Sequence, residues 1–401
     1  MHRTRFLLSR GAGCAVFIWM SSVVSAQGMP NMPSMNMNMS EPWQFMQGGL
    51  LFVGFNHQGG PRGGNDLIAP NWWMGMASHN TTRGQFTFTG MFSLDAATEG
   101  RDGYRELFQV GEVLDGQPIV DRQHPHDFFM QLSATWRAVL KGGTGLTLSG
   151  GPVGEPALGP VAFMHRASAL DNPTAPLSHH TFDSTHVSFG VVTAAVDRGR
   201  WMVEGSVFNG REPDDKRWDF DFGPLDSVSG RIWFRPSAQW ELQVSTGHLR
   251  QPEQLEPGNV VRTTASASWT RITGSSVDAV TVGYGRNDTD HGNRDAIFGE
   301  GARHAGGNTF YGRFEALQTE FTQPEVVLAL TVGAVQDLLH VRGFEGGLGV
   351  DVTVNHTPDA LAVSYGAHPV SFRVFLRLAP PGRGRMWNMR MAQPMAGMAG
   401  M

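Results

Sequence analysis

"SVSGRIWFRPSAQWELQVST", residues 227–246, alternates apolar and polar side chains, breaks for four residues, and alternates again. Val228, Gly230, Ile232 and Phe234 fall on one side, and Ser229, Arg231, Trp233 and Arg235 on the other. After 236–239 the pattern resumes, with Trp240, Leu242 and Val244 opposite Glu241, Gln243 and Ser245. A period of two marks a strand with one apolar and one polar face, and two such runs joined by a short turn make a hairpin.

The pattern recurs from residue 43 to 378. It is clear in "FTFTGMFSL" (86–94), "DFFMQLSATWRAVL" (127–140), "LGVDVTVN" (348–355) and "PVSFRVFLRL" (369–378). Short breaks fall at "NTTR" (80–83), "KGGT" (141–144), "DRGR" (197–200), "PSAQ" (236–239) and "TGSS" (273–276). Long ones fall at 97–126, 152–184, 211–225, 250–259 and 288–307. Short turns at one end and long loops at the other describe a closed antiparallel transmembrane β-barrel, all-β, with short periplasmic turns and long extracellular loops. Trp136, Trp201, Trp240 and Trp269 lie beside short turns on the apolar side of their strands, which predicts an aromatic girdle at one membrane interface. About fifteen strand candidates and the even-number rule predict 14–16 strands, with "ALAVSYG" (360–366) as a weak extra strand.

Composition agrees with that reading. The 401 residues include 51 glycines, 23 prolines and 25 phenylalanines, a turn-rich and aromatic makeup unlike a helical bundle. The first 26 residues read as a secretory signal: Arg3, Arg5 and Arg10, an apolar run from Cys14 to Val24, and a small-residue cleavage site at Val24-Ser25-Ala26. Cys14, the single cysteine, stands at the start of that run and not after it, so it is not placed for lipidation, and the exported chain carries no disulfide. No later stretch holds eighteen consecutive apolar residues, which argues against spanning helices. The formal charge of −5, more negative once the signal arginines leave, gives no reason to expect nucleic acid or an anionic membrane surface as partner. Outer-membrane lipid is the expected surround of residues 43–378, the barrel domain.

Two Met-rich tails flank that domain, at 27–42 and 379–401. They carry Met29, Met32, Met35, Met37 and Met39 before it, and Met386, Met389, Met391, Met395, Met398 and Met401 after it. Neither stretch has an apolar face to pack, so both are expected to be disordered without a ligand. Thioethers at Met-x-Met and Met-x-x-Met spacing suit Cu(I), a soft ion, and make copper the expected guest of the tails.

Histidines form the other cluster. His124, His126, His165, His179, His180 and His186 fall within 124–186, accompanied by Asp121, Asp127, Glu155 and Asp183. The favoured expectation is that two long loops fold inward as a plug whose polar groups satisfy one another. The alternative is that His124, His126, His179, His180, Asp183 and His186 hold a divalent metal. Arg137, Arg231, Arg235, Arg262, Arg286, Arg313, Arg373 and Arg377 are expected to point inward with Glu204, Glu241, Glu315 and Asp351, giving a mixed-charge lumen. His186 and Ser188 in "HVSFG" would suit an outer-membrane phospholipase only if they faced lipid. Val187 and Phe189 are expected on that face instead, so no catalytic residues are assigned.

The stretches "WQFMQGGLLFVGFNHQGGPRGG", "DRQHPHDFFMQL", "GEPALGPVAFMHR" and "PVSFRVFLRL" resemble a family of bacterial outer-membrane barrels with no established activity. The Met-rich ends resemble those of the copper-resistance outer-membrane protein B group, a resemblance that implies copper handling. The expected function is therefore a non-enzymatic outer-membrane barrel concerned with copper or another soft metal. A porin-like channel for small solutes and a structural barrel with a plugged lumen are the alternatives.

Overall fold

The computed structural model describes residues 43–183, 187–319, 325–341 and 344–380. The signal segment, the first Met-rich tail, residues 381–401 of the second and His186 lie outside the described residues. Within them the chain forms one closed barrel. Each strand pairs antiparallel with its neighbours, and the strand Gln44–Gln58 closes the ring on Val370–Ala379, from Leu51↔Leu378 to His57↔Phe372. On its other side, Gln44–Gln58 pairs with Gly64–Ile68 and then Asn71–Thr81. These two segments form a single stave interrupted at Ala69-Pro70, so the barrel has sixteen.

The sixteenth strand is not the one the sequence suggests. Residues 360–366 lie in a helix, Asp359–Tyr365, that starts behind Pro358. Residues 288–307, expected as a long loop, instead contain the strand Gly292–Ala305 after a tight turn at Asp290-His291. Its outward positions include Gly299, Gly301 and Arg303 beside Ile297, too little apolar surface to show alternation.

The hairpin at 227–246 folds as its pattern dictates. Ser227–Phe234 pairs with Trp240–Arg250, and Val228, Ile232, Trp240 and Val244 are exposed while Trp233, Gln243 and Ser245 are buried. The side chains exposed outside a barrel meet lipid, and the closed ladder satisfies their backbone groups. Trp201 and Trp240 are exposed beside short turns, and Trp240 sits directly opposite Trp269 across the ladder. Two-residue turns at this end place Gly306 and Gly307 at φ of +59° and +80°, the left-handed pair that matches strand twist. The first and last staves, Gln44–Gln58 and Val370–Ala379, both have their chain-terminal ends at the short-turn end.

Two expectations of facing need correction. Arg286 shares the outer face with Val282 and Tyr284 and pairs with Asp288 at 2.7 Å. Its position near the loop end lets a charge stay wet there. Val187 and Phe189, expected against lipid, are both buried, Phe189 in the apolar cluster with Met130 and Val153. Ser188 is buried as well, so the phospholipase arrangement has no lipid-facing serine.

The long loops 93–128 and 155–183 turn into the lumen. The first carries a separate hairpin, Tyr104–Leu114 with Gln117–Gln123. Both bond to the wall through buried groups. Arg373 Nε donates to Asp351 at 2.7 Å, and its Nη1 to Glu106 at 3.1 Å. Arg377 reaches Asp171 and Asp337. Arg166 Nε donates to Glu300 at 2.7 Å, and Arg313 Nε donates to the same carboxylate at 3.2 Å. Glu315 accepts from the backbone N–H of Ser178 at 3.0 Å and its hydroxyl at 2.7 Å. Arg231 donates to Glu204 at 2.7 Å and to the Gly159 carbonyl at 2.8 Å. The loop 155–183 is thus tied to staves on several sides of the ring, and wall arginines spend their charge on ion pairs within the lumen.

Candidate metal centre

The histidine-rich segments meet where the two plug loops pack together. Pro125 stiffens His124-Pro125-His126. One helical turn, His179–Phe182, presents adjacent rings from the facing loop. The rings of His179 and His180 lie 4.2 Å apart by centroid, His124 and His180 5.7 Å, and His124 and His179 5.8 Å. The candidate ligand nitrogens of His124, His179 and His180 all lie within 4.8 Å of one another. A small cavity of about 10 Å³, the scale of a single atom, is lined by these three with His126, Glu112, Asp127 and Glu212.

Two further loops complete the surround. Loop 209–226 brings Glu212 and Arg217, and loop 251–258 brings Glu253, whose carboxylate joins His180 and Glu212 in a second close group. The loops are stitched by backbone bonds, Phe128 N–H to the Arg217 carbonyl at 2.8 Å and Glu212 N–H to the Pro252 carbonyl at 3.0 Å. Glu112, Glu212, Glu253 and Arg217 carry no signal in linear spacing, since each lies in a different sequence context from the histidines it meets.

Each ring is steered through Nδ1. His124 Nδ1 lies 3.1 Å from Glu112, His179 Nδ1 lies 3.1 Å from the Pro176 carbonyl, and His180 Nδ1 lies 3.5 Å from Glu212. His126 Nδ1 lies 2.7 Å from Asp95. Oxygen partners on Nδ1 fix ring orientation in the manner of a metal centre's outer shell. Arg217 answers Glu112 and Asp127. Burial pushes Glu112 up to about 7 and Asp127 up to about 8, against the pull of Arg217. Burial, with Arg217, His180 and His126 alongside, holds His124 well below the usual imidazole range, so its ring is neutral at physiological pH. A cation bound in this pocket would favour the charged forms of Glu112 and Asp127, which burial disfavours.

The other candidates sit elsewhere. Asp183 is enclosed and held by Arg166 at 3.2 Å, which in turn binds Glu300, so its carboxylate belongs to the wall network. His165 stands edge-on to Trp72 at 5.0 Å, and burial lowers it to about 4. Its unfolded value is about 6.5, so the unfolded chain takes the proton first as pH falls. Its contribution to stability is whole above about pH 6.5 and is lost on the way down to about 4, up to roughly 3 kcal/mol. The loss between pH 7 and 4, read from urea midpoints of the folded barrel, should be visibly smaller in His165→Phe; an identical loss would contradict this.

No family model matches the chain, and no curated protein matches it. Among solved structures it is similar to a loop L8 deletion mutant of OmpT, an outer membrane protein of Vibrio cholerae, at 10% identity, covering 84% of this chain and 100% of that one, with a TM-score of 0.53. It is also similar to in-vitro folded OmpT of Vibrio cholerae in its trimer form, at 8% identity, 84% and 100% coverage and a TM-score of 0.50. The fold is that of an outer-membrane β-barrel, and the apolar outer wall suits contact with membrane lipid. At such identity the likeness carries the fold and leaves function to the site.

Proposed function

We propose that this outer-membrane barrel handles copper or related metal ions, without catalysis, and is not an open diffusion pore. The observation that carries the reading is the convergence of four long loops on a buried cavity ringed by His124, His126, His179 and His180 with Glu112, Asp127 and Glu212. Imidazole and carboxylate donors favour transition-metal ions over alkali or alkaline-earth ones. The Met-rich tails add soft donors suited to Cu(I), and both barrel ends adjoining them lie at the short-turn end. A strain producing protein without residues 27–42 and 386–401, and one producing His179→Ala/His180→Ala, should each lose copper tolerance several-fold relative to wild type. Unchanged tolerance in both strains would overturn the copper reading. The porin-like rival has the fold likeness in its favour. It requires large, stable conductance steps from the purified wild-type protein, where the present reading expects leak-level current.

A further inference from the structure

We infer that His124, His179 and His180, with Asp127, form one site for a divalent first-row transition-metal ion, and that the ion fastens together the two loops that fill the lumen. The inference rests on the metal reading above, yet needs neither the tails nor copper. Three observations support it. First, the three imidazoles come from both plug loops, His124 from 93–128 and the adjacent pair from 155–183, with candidate nitrogens within 4.8 Å of one another. An ion held at about 2.0–2.1 Å from each nitrogen needs only a modest further closing of the rings. Second, Nδ1 of each ring already has a neighbour, Glu112 for His124, Glu212 for His180, and the Pro176 carbonyl with the Gln109 side-chain amide for His179, which leaves Nε2 as the nitrogen each ring would turn to an ion. Third, Asp127 lines the same cavity, is 2% exposed, and its Oδ1 has no hydrogen-bond partner among the described residues while Oδ2 faces Arg217. A buried carboxylate oxygen without a partner is costly unless something else meets it.

Three imidazoles and a carboxylate form a donor set for Zn(II) or Cu(II), with Cu(II) bound more tightly by the general affinity order. Thioether-selecting Cu(I) and oxygen-selecting Mg(II) or Ca(II) fit it poorly.

Zn(II) is the probe of choice because it has no redox chemistry. Full-length folded protein in detergent, equilibrated with Zn(II), dialysed and assayed for zinc, should retain one equivalent. Protein lacking both tails should retain the same equivalent, which separates this site from any tail site. His179→Ala/His180→Ala should bind at least about 100-fold more weakly, and Glu112→Gln, which releases His124 from its orienting partner and breaks the Arg217 pair, about 10–100-fold more weakly. Each variant is first shown to be folded by its strand circular dichroism and heat-modifiable gel mobility. Trypsin cleavage at the exposed loop residues Arg101 and Lys216 should slow several-fold with Zn(II) and recover with a chelator, in wild type only. Absence of zinc from wild type, or full zinc binding by the folded double variant, would overturn the site. Zinc binding with no change in cleavage would overturn the fastening role. Copper tolerance enters none of these readouts, so this inference and the proposed function can fail separately.

Discussion

Arg373→Ala is expected to destabilise the folded barrel by roughly 3–5 kcal/mol, the cost of leaving buried charge without its partner. Arg373 is 1% exposed and bonds to Asp351, Glu106 and the Thr353 hydroxyl, while Tyr311 donates a further bond to Asp351 at 2.9 Å. Removing the guanidinium strands two carboxylates, one on the wall and one on the plug hairpin. Urea midpoints in detergent read the effect, with Arg286→Ala as the outward-facing comparison that should shift far less. If Arg373→Met combined with Asp351→Leu and Glu106→Leu regains most of the loss, the pair specifies the packed lumen more than it stabilises it. A midpoint unmoved by Arg373→Ala would mean that water reaches this part of the lumen freely.

Replacing residues 156–182 by a short flexible linker should raise single-channel conductance by about an order of magnitude or more, since sixteen-stranded barrels without an internal plug leave an aqueous channel. The deletion frees Arg231, Arg313 and Arg377 from Gly159, Thr174 and Asp171, so the opened lumen should also favour anions. Leak-level current from a deletion variant that still folds would show that the hairpin Tyr104–Gln123 alone closes the passage.

The barrel was legible where the outer face is made of large apolar side chains, as at 227–246. It was illegible at Gly292–Ala305, whose lipid side carries two glycines and an arginine. The helix Asp359–Tyr365 was read as a strand because Leu361 and Val363 alternate, although Pro358 just before it is a helix-start signal. The histidines announced a cluster by residue type. Its carboxylates did not, because Glu112, Glu212 and Glu253 reach it through loop packing that no local periodicity encodes. Asp183, adjacent in sequence to the paired histidines, was claimed instead by Arg166 across the lumen.

The same arginines that fill the lumen sit on the strand that closes the ring. Arg373 and Arg377 belong to Val370–Ala379, and their plug partners, Glu106 and Asp171, lie 267 and 206 residues earlier in the chain. The ring closure and the seating of the plug therefore share contacts: Arg373 and Arg377 can meet Glu106 and Asp171 only when the last strand is in place. Contacts this distant in sequence are entropically slow to form, so the final step should set the pace of folding.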